Sequence, residues 1–118
     1  MAESKEKFPQ TPIVLKEPKW NEVWMGALIP EPGNSVLNNT GTWRVFRPII
    51  DQDRCIRCLI CWMYCPEPAI KILDKPYKTK QGREYKITLE IDYNHCKGCG
   101  ICVQECPVKA IEFVEEVK

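Results

Sequence analysis

All eight cysteines of this chain fall into two copies of one pattern. The first is Cys55-x2-Cys58-x2-Cys61-x3-Cys65-Pro66, and the second is Cys96-x2-Cys99-x2-Cys102-x3-Cys106-Pro107. This spacing is that of the run that holds [4Fe–4S] clusters, and two copies predict two clusters. The reason is geometric. A cubane needs four thiolates around a small tetrahedral object. Three cysteines spaced by two residues wrap a tight loop around three corners and aim backbone N–H groups at the sulfurs. The fourth cysteine starts the next turn of chain and points away from that loop. Where two copies share one chain, it ligates the cluster of the other copy.

Three other chemistries use cysteine. A disulfide framework belongs to secreted chains, and residues 1–7 are polar and charged, without the apolar run of a signal peptide. Structural zinc also uses repeated Cys-x2-Cys pairs, but a third step followed by Cys-Pro is not its pattern. A [3Fe–4S] centre is favoured by a missing second cysteine, and none is missing. Outside the cysteines nothing supports chemistry: there is no Ser/His/Asp constellation, phosphate loop or dinucleotide fingerprint.

The elements that must position these thiols repeat with them. Ile50-Asp51 through Cys55 aligns with Ile91-Asp92 through Cys96, and Ile60/Ile101, Pro66/Pro107, Ala69/Ala110 and Ile70/Ile111 follow in register. Short strands are predicted over 48–51, 69–73, 87–91 and 110–115, the second and third pairing as a hairpin. Short helices are predicted over 62–65 and 103–106. The polar stretch 74–86 is expected to turn at Gly82. The fold class is therefore α+β, a ferredoxin-like 2[4Fe–4S] domain with pseudo-two-fold repeats over 48–118. Asp51 and Asp92 are expected to make local turn hydrogen bonds before each loop. So small a domain is marginal on its hydrophobic core alone, and cluster binding is expected to be coupled to folding.

Residues 1–47 carry no cluster ligand. They are rich in proline and turn residues yet hold Trp20, Trp24 and Trp43 among many aliphatics. Long helices are not expected there. An extended, mostly irregular arm lying across partner subunits accounts for both features, in preference to one folded back on its own core. No apolar run approaches a membrane span. Thiolates loaded with iron imply a reducing, cytoplasmic setting. Seventeen basic and sixteen acidic residues give a net charge of +1, which argues against a nucleic-acid binder. Arg44, Arg47, Arg54 and Arg57 crowd the first motif, either as ordinary mixed surface charge or as part of a chain built to sit in a complex.

The two loops differ. The second, Cys96-Lys97-Gly98-Cys99-Gly100-Ile101-Cys102, has glycines that permit φ > 0 and close approach of backbone. The first, Cys55-Ile56-Arg57-Cys58-Leu59-Ile60-Cys61, is bulkier and leads into Trp62-Met63-Tyr64. The two potentials are therefore expected to differ, with the first cluster buried against a partner and the second facing outward. Trp62 and Tyr64 are read as hydrophobes packed on the cluster, and His95 as a passive flank.

The stretch Asn39-Thr40-Gly41-Thr42-Trp43-Arg44-Val45-Phe46-Arg47-Pro48 resembles the lead-in of the delta subunit of 2-oxoacid:ferredoxin oxidoreductases of the pyruvate or 2-oxoisovalerate type. Cys65-Pro66-Glu67-Pro68-Ala69-Ile70 and Asp92-Tyr93-Asn94-His95-Cys96 resemble the same family. The likeness covers residues 25–118, and the segment from 77 to 85 is longer than usual for it. The resemblance implies a cytoplasmic hetero-oligomer in which other subunits bind thiamine diphosphate and coenzyme A and oxidise the 2-oxoacid. This chain would carry the electrons to an external ferredoxin, with no catalytic residue of its own. Cys55, Cys58, Cys61 and Cys106 would hold one cluster, and Cys96, Cys99, Cys102 and Cys65 the other. The alternatives are a free-standing 2[4Fe–4S] ferredoxin and the ferredoxin subunit of another redox complex, such as a hydrogenase.

Overall fold

The computed structural model describes residues 19–21, 25–26, 28 and 32–117, which divide between two compact units, Met1–Asn39 and Thr40–Lys118. In the first unit a 3-10 turn over Asn34–Leu37 is entered through Gly33, whose φ of 67° suits glycine. Trp20, Met25, Leu28 and Val36 are exposed there. Leu37 is partly exposed as well, while Val14, Leu15, Val23, Trp24 and Ile29 of the expected arm lie outside the described residues.

The second unit is α+β. A 3-10 turn at Gly41–Trp43 leads into β1 (Phe46–Ile50), α1 (Ile60–Tyr64), β2 (Ile70–Leu73), β3 (Tyr77–Lys78), β4 (Glu84–Tyr85), β5 (Thr88–Ile91), α2 (Ile101–Glu105) and β6 (Ile111–Glu115). The expected hairpin forms: β2 pairs antiparallel with β5, Ile70 facing Ile91. Strand β1 pairs antiparallel with β6, Ile50 facing Ile111. Each copy of the motif thus lends a strand to the other. The joins match as well. Asp51 N donates to Ala110 O and Asp92 N to Ala69 O, both at 2.7 Å.

The core is small and rich in thiols. Ala69, Ile70, Leu89, Ile91, Ala110 and Ile111 are buried together with Cys61, Cys96, Cys102 and Cys106. The largest fully buried side chains, Pro48 and Leu89, stand at matching positions of the two repeats. Proline is tolerated in β1 because β1 belongs to a two-stranded sheet and has a free edge.

Two segments outside the repeat complete the unit. Residues 40–47, which the sequence alone assigns to the arm, are tied into it: Gly41 N donates to Asn94 O at 2.7 Å, and Glu116 N to Val45 O at 2.9 Å. Between β2 and β5, strands β3 and β4 form a further hairpin. Its turn is where the sequence puts it, at Gly82, with φ of 88° and its N–H on Thr79 O. No described helix is long and apolar enough to cross a membrane.

Candidate cluster sites

Each cysteine loop is built by the same backbone device. Cys55 N donates to Asp51 O and Cys96 N to Asp92 O, both at 3.0 Å. The aspartates also cap the turn, Asp51 Oδ1 accepting from Asp53 N and Asp92 Oδ1 from Asn94 N. The loops then pass twice through the left-handed region: at Arg57 (φ 56°) and Leu59 (φ 63°) in the first, at Gly98 (φ 66°) and Gly100 (φ 77°) in the second. This winding turns successive sulfurs inward. The glycines of the second loop were legible as such; that Arg57 and Leu59 adopt the same strained conformation was not, because no residue type announces it.

The eight thiols gather into two groups. One cavity is lined by Cys55, Cys58 and Cys61 together with Cys106, closed by Ile50, Leu89 and Ile111. The other is lined by Cys96, Cys99 and Cys102 together with Cys65, closed by Pro48, Ile70 and Ile91. They span about 330 and 400 Å³, solvent mouths included. The fourth sulfur of each group is itself held. Ala110 N donates to Cys106 Sγ and Ala69 N to Cys65 Sγ, both at 3.3 Å. Such N–H···S contacts stabilise sulfur that carries negative charge.

The donor set fits a cluster in each cavity. All eight cysteines are free thiols. Burial, reinforced by the neighbouring Cys55, pushes the Cys61 thiol up to about 11, and burial with Cys96 nearby pushes Cys102 up to about 12. Four thiolates lining one apolar cavity repel one another; a cationic iron core would replace the protons and remove the conflict. Among the described residues no three His, Cys, Asp or Glu side chains converge on a single-ion site. Each set of four lines a cavity instead.

Two buried arginines back the two loops, one each. Arg44 donates through Nη1 to Tyr93 O and, at 3.3 Å, to Cys96 O, and is paired with Glu116 at 2.6 Å. Arg57 donates through Nη1 to Gln52 O and Cys55 O, both at 2.7 Å, and through Nε to Ile87 O at 3.3 Å. The sequence shows only a crowd of arginines before and within the first motif. Their separation between the two loops, and their burial at 7% and 8% exposure, are properties of the fold. Arg54, by contrast, is exposed.

Some environment readings change. Trp62 and Tyr64 do not pack inward: with Met63 they lie at 46–64% exposure on the outer face of α1, while Cys61 takes the buried position. The α2 counterpart carries Gln104 and Glu105 on its exposed part. His95 is tied by Nδ1 to Asp92 at 2.9 Å, and Asp92 also takes Lys71 at 3.1 Å. Burial pushes the Asp92 carboxyl up, but the hydrogen bonds from His95, Lys71 and Asn94 outweigh it and hold the group below its ordinary value.

The pyruvate synthase subunit PorD of Pyrococcus furiosus is 52% identical to this chain over 52 residues, 44% of this chain and 50% of the relative. That of Methanocaldococcus jannaschii is 55% identical over 49 residues, 42% of this chain and 57% of the relative. The ketoisovalerate oxidoreductase subunit VorD of Pyrococcus furiosus is 39% identical over 74 residues, 63% and 54% of the two chains. The chain spans about half the length of the curated relatives it matches. A family profile for the 4Fe-4S dicluster domain matches residues 48–113, more than half of the chain and the whole of both cysteine loops. By that match, and by the two rings of four thiols it covers, the chain belongs to the 4Fe-4S dicluster domain family.

Proposed function

We propose that this chain is the electron-transfer subunit of a 2-oxoacid:ferredoxin oxidoreductase. The observation that carries the reading is the pairing of two four-thiol cavities with likeness to PorD and VorD subunits. Cys55, Cys58, Cys61 and Cys106 hold one cluster, and Cys96, Cys99, Cys102 and Cys65 the other. The matched strand pairings, aspartate turns and N–H···S contacts support a pseudo-two-fold relation between the halves. When bound, the clusters supply one-electron transfer, chemistry that no side chain of the protein provides.

The chain's own residues do the rest. Pro48, Ile70, Leu89, Ile91 and Ile111 exclude water from the inner faces of the cavities. The amides of Ala69 and Ala110 fix the two sulfurs that cross between halves. Cys58 and Cys99 are exposed and mark where each cavity meets the surface. The apolar outer face of α1 suits burial of the first cluster against a partner subunit, while the more polar α2 suits the outward, acceptor-facing side. The part of the arm before residue 40, with its exposed Trp20, reaches across partner subunits. Those partners bind thiamine diphosphate and coenzyme A and oxidise the 2-oxoacid. An external ferredoxin accepts the electrons, in the cytoplasm.

Anaerobic size exclusion of the native protein, with mass spectrometry of what co-elutes, tests this. A large iron-rich complex containing thiamine-binding chains is the expected result. A brown monomer eluting alone would refute the subunit reading and leave a diffusible ferredoxin.

A further inference from the structure

We propose that Arg57, clamped by the β3–β4 hairpin, sets the reduction potential of the first cluster above that of the second. The matching position in the second loop is Gly98, so the repeat itself supplies no cation there. Arg57 is 8% exposed, and its guanidinium lies 4.5 Å from the centre of the Tyr85 ring and 5.3 Å from that of Tyr77. These two tyrosines face each other across the hairpin, Tyr77 opposite Tyr85. A segment outside the repeat thus closes over a residue inside it. Its Nη1 bonds Cys55 O, which places the charge against the backbone of the first cluster ligand.

The two sides differ in compensation. Arg44, behind the second loop, is ion-paired with Glu116. Lys97 reaches Glu67 at 3.5 Å, and His95 reaches Asp92. Among the described residues Arg57 makes no ion pair; its hydrogen-bond acceptors are neutral carbonyls, and Nη2 is buried without a partner. The Asp53 carboxylate feels the Arg57 charge but makes no ion pair with it; it is bonded to the Tyr77 hydroxyl and paired with Lys80 at 3.8 Å. Asp51 is exposed, where solvent screens its charge. One electron entering a cluster adds one negative charge. A buried cation bonded only to neutral carbonyls stabilises that charge more than an ion pair does, because the field of a pair falls off as a dipole. Tyr77 and Tyr85 act as positioning residues: they keep the guanidinium desolvated and in place, the cation lying over each ring.

The inference rests on the ligand sets proposed above. The test is a redox titration of the full chain carrying both clusters, with a chemical reductant and each cluster followed by electron paramagnetic resonance. The wild type is expected to show two separated potentials. Arg57→Gln lowers the upper one toward the other and leaves the lower one in place, and Arg57→Lys restores most of the separation. Tyr85→Glu, which places a carboxylate beside the retained guanidinium, lowers the upper potential as well; it carries the test should Arg57→Gln fail to load iron. Unchanged potentials in Arg57→Gln and Tyr85→Glu, or an equal shift of both clusters, would overturn the proposal. Cys58→Ser and Cys106→Ser identify the cluster concerned. If they perturb different clusters, the ligand sets fail, and the Arg57 effect is then judged on the cluster that Cys58 ligates.

Discussion

A methyl group added at Gly98 separates two causes of glycine in a cluster loop. Its φ of 66° is left-handed, and a Cβ there would stand 2.1 Å from Phe46 O and 3.1 Å from the Arg44 Cβ. The left-handed backbone alone costs a non-glycine residue about 1–2 kcal/mol. The first loop shows that this much is tolerable, since Arg57 sits at the matching position with φ of 56°. The contact with Phe46 O is a different matter, because backbone must move and overpacking of this kind costs about 1–3 kcal/mol more. Gly98→Ala is therefore expected to destabilise by about 2–5 kcal/mol in total. Gly82→Ala is the control: φ is 88°, but nothing lies within 4 Å of the added Cβ. It retains the backbone cost, and both variants gain the same partial offset of about 0.4–1 kcal/mol from a stiffer unfolded chain, so they differ only by the contact. The assay is anaerobic bleaching of the cluster chromophore in graded urea, compared between the two variants. Gly98→Ala should shift the loss equilibrium about 5-fold to about 150-fold further than Gly82→Ala, since each 1.4 kcal/mol is a factor of ten. Equal behaviour of the two would show that residues 40–47 do not press on the second loop, and the role given to that segment would fail.

Removing iron with a chelator under reducing conditions should unfold most of the chain, because four of the buried core residues are cysteines; a near-native circular dichroism spectrum of the apo chain refutes this. Cys55→Ser and Cys106→Ser should perturb the same cluster in resonance spectra, and Cys65→Ser the other; any other grouping breaks the interlocked arrangement. The depressed Asp92 carboxyl gives a pH dependence of known sign. Its folded value lies below the unfolded 3.8, so its contribution is complete above that value and is lost as pH falls through the folded one. Asp92→Asn should lack this increment of acid stability, measured as the difference in bleaching rate from wild type; a difference that grows as pH falls contradicts the assignment.

The parts of the fold that follow the repeat were legible in the sequence, because each is fixed locally. Strand β2 and its partner β5 show apolar alternation, Gly82 marks its own turn, and the aspartates before each loop announce a turn hydrogen bond. Strands β3 and β4 were not legible: the stretch around Tyr77 and Tyr85 is polar and has no clean alternation. It is anchored by distant residues, Arg57 against both rings and on Ile87 O, and Asp53 on the Tyr77 hydroxyl and Lys80 N. The outward turn of Trp62 and Tyr64 was hidden for a related reason. A five-residue helix beginning at Ile60 buries Cys61, and once that position faces the cavity, Trp62 and Met63 turn toward solvent; Tyr64 returns to the Cys61 side but, as the last residue of the helix, is still exposed. An apolar residue next to a ligand therefore says little about which way it points.

The same limit explains why the two loops are not redundant. Identical cysteine spacing prescribes two similar cages, and the repeat accounts for the sulfurs, the turns and the crossed strands. What covers the back of each loop comes from sequence that is not repeated: residues 40–47 with Arg44 behind the second, and the β3–β4 hairpin with Arg57 behind the first. Gly98 is small because Phe46 O needs the room. Arg57 can be large because the hairpin arches over it. The choice of residue at one matched position in each loop thus tracks the cover laid over it. Swapping them tests the point. Gly98→Arg has no space beneath Phe46 O and should prevent loading of the second cluster. Arg57→Gly should leave the first loop able to load iron, while the Tyr77 and Tyr85 rings lose the cation between them. Loading of both clusters in Gly98→Arg would show that the covers do not dictate the loop residues.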